Sequence, residues 1–159
     1  MVKIGITGHR GLPAELTKQI TAQLETVLTA FDPVEIVGVT CLADGADTLF
    51  AQQVLKSGGT LEVIVPAAEY RDGLPMDHHA EYDRVISQAA QVHQLDYVAS
   101  SSESHMAASM LMLSLISELI AVWDGQPSRA YGGTADVVDE ARKQDIPVRI
   151  VWPAGATRP

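Results

Sequence analysis

The sequence predicts an α/β fold: a doubly wound, mainly parallel six-stranded sheet with helices on both faces. Three observations predict it. Short runs rich in valine and isoleucine alternate with amphipathic helical stripes along the whole chain, the pattern of a parallel sheet covered by helices. Polar or glycine-bearing loops follow directly after most of the apolar runs. The length of 159 residues, with 47% hydrophobic and 19% charged residues, suits one globular domain with a sizeable core. Right-handed crossovers then place the first strand near the centre of the sheet.

Each element follows from local composition. "VKIGIT", residues 2–7, reads as a short buried strand. Pro13 sits where a first helical turn tolerates proline, and Leu16, Ile20, Leu24, Val27 and Leu28 line one helical face. Asp32-Pro33 ends that helix, and "VEIVGVTC", residues 34–41, reads as the second strand. "ADGADTLFAQQVLKSGG" reads as a helix closed by Gly58-Gly59, with "TLEVIVP", residues 60–66, as the third strand. The next segment, "AAEYRDGLPMDHHAEYD", is long for a strand-to-helix connection, and such loops are often lids or binding loops. Tyr82, Val85, Ile86, Ala89 and Ala90 give a further helical stripe, followed by a weaker strand over residues 92–98. The helix expected over residues 103–116 is apolar almost all round, which predicts burial on both sides, in a core or against another subunit. "ELIAVWD", residues 118–124, is the fifth strand, residues 134–145 the last helix, and "PVRIVW", residues 147–152, the sixth strand. One domain over residues 1–153 and a tail over 154–159 are expected.

Composition narrows the function. The formal net charge is −9, so the chain repels phosphate backbones at long range and nucleic acid is expected to be a poor partner. An anionic ligand must then be held by local N–H groups and a few arginines. A single cysteine, Cys41, excludes an intrachain disulfide and reads as a small buried residue. No N-terminal leader and no membrane-length apolar run is visible, so a cytoplasmic protein without a membrane partner is expected. His78-His79 lacks the three or four convergent ligands that zinc requires, so no metal is expected.

Ligands of doubly wound sheets bind beyond the carboxyl ends of the strands, so the loops there are the candidate site. After the first strand, Gly8 permits close backbone approach, and Thr7, His9 and Arg10 supply donors. After the second, Asp44 reads as a helix cap with Asp47 three residues later, or as a contact to a ribose hydroxyl beside Gly45. After the third, Tyr70 and Arg71 suit a lid that stacks on a base and reaches a phosphate. After the fifth, Asp124 leaves the sheet, and Gly132-Gly133-Thr134 opens a helix. Those glycines can take positive φ and present successive N–H groups to an anion, while Thr134 caps the helix or bonds a phosphate oxygen. Arg10, Arg71 and Arg129 all fall on this predicted edge.

"GITGHR", "LADGAD" and "YGGTADVV", each directly after a strand or opening a helix, resemble the SLOG superfamily. That group of Rossmann-like domains includes the Smf/DprA proteins and the LOG phosphoribohydrolases. The resemblance covers nearly the whole chain. It implies a Rossmann-like domain that binds nucleotides or their derivatives, with no cofactor required beyond that ligand, often as a homo-oligomer, for which the helix over 103–116 offers a face. It also implies a second reading, hydrolysis of the N-glycosidic bond of a nucleoside monophosphate. Catalysis would then fall to Arg129, holding the phosphate, and to Asp136 or Asp124, stabilising the developing charge or activating water. Against the LOG motif P-G-G-x-G-T-x-x-E, Val137 stands at the glutamate position and Asp136 lies one residue before it. A third reading is an interaction subunit with a vestigial site.

Overall fold

A computed structural model describes all 159 residues. Six parallel strands form one sheet: β1 (Val2–Gly8), β2 (Ile36–Thr40), β3 (Thr60–Ala67), β4 (Gln91–Tyr97), β5 (Glu118–Val122) and β6 (Val148–Val151). Five helices connect them: α1 (Ala14–Leu28), α2 (Ala46–Ser57), α3 (His79–Ile86), α4 (Ser102–Leu115) and α5 (Thr134–Lys143). The strand order is β4-β3-β2-β1-β5-β6. The chain therefore winds one way from β1 to β4, crosses back, and winds the other way through β5 and β6. The order reverses between β1 and β5, where Thr7 pairs with Ala121 and Gly8 with Val122. A crevice opens at such a switch point because the loops on either side lead to opposite faces.

Two apolar layers hold the helices. On one face Ile20 and Leu24 of α1, Phe50 and Val54 of α2 and Val85 of α3 pack on Ile4, Ile36 and Leu61. On the other, Met106 and Met112 of α4 and Val137 and Ala141 of α5 pack on Val39, Ile64 and Leu119. Burying one side chain of this kind, such as the fully enclosed Phe50, stabilises the fold by about 1.5–3 kcal/mol.

Several boundaries differ from the sequence reading, each for a local reason. Pro33–Glu35 forms a 3-10 turn whose first free N–H, on Val34, is accepted by Asp32, so β2 starts at Ile36. Trp123 and Asp124 lie beyond β5, where the Asp124 carboxylate accepts the Gln126 N–H and the Trp123 indole donates to the Gln126 carbonyl to form a turn. The long loop after β3 is built from short 3-10 turns at Arg71–Gly73 and Met76–His78. Helix α4 is buried on one side only: Met106, Ala108, Met112 and Leu113 face the sheet, while Ser102, Glu103, Met110 and Ser114 are exposed. Its Ser101 and Ser104 form a reciprocal capping box that fixes the start. No helix is long and apolar enough to cross a membrane.

Candidate functional site

The carboxyl ends of β1, β2, β3 and β5 surround a cavity of about 580 Å³. Thr7, Gly8, His9, Arg10, Tyr70, Arg129, Gly132, Gly133 and Thr134 line it, all of them expected from sequence. Asp47, His105 and Arg158 line it as well.

The loops after β1 and β2 interlock. The Ala46 N–H donates to the His9 carbonyl at 3.2 Å. A side chain on Gly45 (φ +86°) would come within 2.6 Å of that carbonyl. A side chain on Gly8 would meet Ala46 Cβ at 2.5 Å and Val122 Cβ at 2.8 Å. Only glycines allow the two loops to touch here. Asp44 does not cap α2: it accepts from Arg10 Nε at 2.7 Å and from the Gly11 N–H at 3.1 Å, and so anchors the arginine loop. Asp44 and Gly45 thus shape the cavity from behind without lining it.

The Gly-Gly-Thr turn differs from expectation. Gly132 takes a positive φ of 84°, but Gly133 is extended, with φ −70° and ψ 178°. Both glycine N–H groups are already used: Gly132 donates to Asp136 Oδ2 at 2.9 Å and Gly133 to the Ala130 carbonyl at 3.2 Å. Asp136 is therefore turned toward the backbone of the turn it follows and is absent from the cavity wall. The donors left over at this end are the Thr134 and Ala135 N–H groups, the first of α5, and the Thr134 hydroxyl.

Arginines frame the opening. Arg129 makes no hydrogen bond or ion pair within the protein and lines the cavity. Arg158 reaches in from the tail, with Nε 3.2 Å from Asp124 Oδ2 and Nη2 donating to the Pro127 carbonyl. Its Nε is sealed from solvent yet lacks a well-aligned acceptor. Asp124 is itself buried, between Arg158 and His9, and does not line the cavity. His9 Nε2 lies 3.1 Å from the Asp124 N–H and 3.2 Å from Asp124 Oδ1. Burial pushes the imidazole pKa down, and Arg158 and Arg129 add to this against the pull of Asp124, so the neutral ring that accepts the N–H is favoured. Trp152 packs edge-on against this ring at 5.3 Å.

Tyr70 and Arg71 separate. Tyr70 is 4% exposed, wedged against Tyr82 and His105, with its hydroxyl unbonded. Arg71 turns to the outside and forms a double hydrogen bond with Asp83, both at 2.8 Å. A lid that uses both residues is not formed, because the helical neighbour twelve residues on supplies a carboxylate first. His78 and His79 each donate from Nε2 to a backbone carbonyl, of Leu42 and of Leu74, which fixes the loop.

Sequence reasoning missed Asp47 and Arg158. Asp47 presents a D-x-x-D spacing that suggests a cap, whereas the residue is 91% buried at the cavity wall. Arg158 carries no local signal at all. Only the docking of the tail, through Trp152 Nε1 and the Ala156 carbonyl at 3.0 Å, brings it back.

No known family profile matches the chain, and no curated protein matches it by sequence. Solved structures do. DNA processing protein A from Streptococcus pneumoniae superposes with a TM-score of 0.70 at 17% identity, over 98% of this chain and 52% of that one. DNA processing protein A from Helicobacter pylori, a structure described for its single-stranded DNA binding mode, gives 0.69 at 15%, over 98% and 68%. The molybdenum cofactor binding protein from Rippkaea orientalis gives 0.61 at 16%, over 96% and 77%. The chain thus spans about half the length of the Streptococcus pneumoniae protein. What these structures share with the chain is the doubly wound α/β fold that the alternation of strands and helices predicts.

One expectation is overturned. Nucleic acid was set aside on the net charge of −9, yet a protein of this fold binds single-stranded DNA. Net charge is a far-field property. At the cavity Arg10, Arg129 and Arg158 converge, while Asp44 and Asp124 are tied up in pairs with Arg10 and Arg158.

Proposed function

We propose that the chain binds a nucleotide or nucleotide derivative in the cavity at the β1/β5 switch point, with its phosphate at the start of α5. The observation that carries this reading is the meeting of Arg129, which has no partner of its own, with the free Thr134 hydroxyl and the first N–H groups of α5. An anion there gains from both the arginine and the helix terminus. No lysine lines the cavity; arginines supply the charge.

Binding, rather than hydrolysis, is the better reading of Asp136: its carboxylate holds the Gly132 N–H and has no line to a substrate. The outward side of α4, which carries Met110 at 39% exposure, is our proposed homo-oligomer face.

A thermal-shift panel tests the proposal. It contains nucleoside mono-, di- and triphosphates, a molybdopterin-type cofactor and a single-stranded oligonucleotide, the last two because proteins of this fold bind them. Ligand at about a hundred times its dissociation constant adds roughly 2.7 kcal/mol. A selective shift that disappears in Arg129→Ala supports the site. A panel with no shift, or a shift indifferent to Arg129, rejects it.

A further inference from the structure

The cavity has a second polar end that phosphate does not explain. Asp47 is the second residue of α2, and its side chain folds back so that Oδ2 accepts the Ala43 N–H at 3.3 Å. Its Oδ1 accepts nothing. Beside it, the Tyr70 ring is held by packing alone and its hydroxyl has no partner. Arg158 Nε is the only unbonded side-chain nitrogen or oxygen sealed from solvent, so the free atoms of Asp47 and Tyr70 reach open space, which is the cavity. Asp47 is 91% buried and Tyr70 96% buried, yet each leaves one polar atom open toward the same cavity. A ligand seated there can bond both.

The geometry points to a bipartite site: Arg129 and the α5 terminus take the anionic end of the ligand, and Asp47 with Tyr70 grips a hydrogen-bond donor on its neutral end, a sugar hydroxyl or a ring N–H. This rests on the anion reading above and adds a requirement on the ligand: a free hydrogen-bond donor, on its sugar or its base, away from the phosphate.

Charge supports the assignment. Burial pushes the Asp47 carboxyl up to about 7, against the Ala43 N–H and Arg10, which pull it down, and with Asp44, which adds to the rise. Cys41 and Tyr70 also face it, and burial holds both of these protonated. His105 packs edge-on against Tyr70 at 5.6 Å. A donor on the ligand favours the ionised carboxyl, so binding releases a proton near neutrality. The sign for stability is the reverse of a structural ion pair. The folded protein holds this proton where the unfolded chain has lost it, so stability falls as pH rises from about 4 and the penalty is complete above about 7.

The test uses Asp47→Asn and Tyr70→Phe, with titrations of ribose 5-phosphate, AMP, 2′,3′-dideoxy-AMP and inorganic phosphate. Tyr70→Phe removes only the unbonded hydroxyl and should leave the melting temperature unchanged. Asp47→Asn should melt at or above wild type at pH 8, with the advantage shrinking by pH 5. Both variants should weaken AMP binding, Asp47→Asn by roughly tenfold as a charge-assisted bond is lost, and leave inorganic phosphate unaffected. The fall in affinity between pH 8 and 6 should be shallower in Asp47→Asn. The second ionisation of the phosphate, with a pKa of about 6, affects both proteins alike. A weakened dideoxy analogue assigns the donor to the sugar; an equal one assigns it to the base. Phosphate binding with AMP affinity indifferent to both variants overturns the bipartite site and spares the anion site. No binding of any probe to wild type overturns both.

Discussion

At the scale of single residues, two side chains near the same turn should behave in opposite ways. Arg129 is exposed and bonded to nothing, so Arg129→Ala should cost little stability and most of the ligand affinity. Asp136 holds the Gly132 N–H, so Asp136→Ala should lower stability by about 1–2 kcal/mol, measured by urea denaturation, before binding is considered. An Arg129→Ala variant that melts early, or an Asp136→Ala variant as stable as wild type, would reverse these roles. The contrast also marks what one-dimensional reading delivers. Arg10, Arg129 and Thr134 were legible because each lies in a loop after a strand or opens a helix at the carboxyl edge, and the doubly wound fold fixes where such residues go. Asp47 and Arg71 were misplaced because side-chain direction, not chain position, decides their partners. His9 meets Asp124 across 115 residues, a pairing with no local pattern to announce it.

Elements add a constraint that residues do not. The loop after β1 and the start of α2 are held together through the Ala46–His9 hydrogen bond, and Gly45 leaves no room between them. Gly45→Ala introduces a methyl group 2.6 Å from a carbonyl oxygen, at a φ of 86° that alanine resists. The expected outcome is a loss of roughly 1–3 kcal/mol together with weakened binding, because Arg10 is carried on the displaced loop. Calorimetry alongside titration checks this; a loss of affinity with no change in stability would mean that the loops adjust freely. The elements themselves were read well from the spacing of apolar residues, since β1, β2, β3 and β5 are buried on both faces. The weaker strand at residues 91–97 is an exposed edge with polar composition, and the sequence does not tell whether the second apolar side of α4 meets a core or another subunit, because its outward methionine looks the same as an inward one.

For the whole molecule, pH exposes a balance between the two ends of the sheet. At the amino end Glu62 is 5% exposed and bonds Lys3 at 2.5 Å and His93 at 3.1 Å. Burial pushes its carboxyl up, but the Lys3 and His93 hydrogen bonds outweigh that and its pKa falls below the usual 4.5. A lowered carboxylate stabilises the fold above its unfolded value, and the gain disappears as pH falls through the folded one. Asp47, at the carboxyl end, works in the opposite direction at higher pH. Lys3→Met should therefore narrow the difference in denaturation midpoint between pH 6 and pH 3.5; an unchanged difference would show that Glu62 is not coupled to folding.

The packing of Trp152 against His9 has an optical consequence. The sequence holds two tryptophans, and one of them, Trp152, touches the buried His9 ring that lines the cavity. Indole emission responds to the field of a nearby anion. The molecule therefore carries a built-in fluorophore beside the proposed site. Occupancy becomes a change in brightness, read without label or coupled assay, and a Trp152→Phe control separates that signal from Trp123.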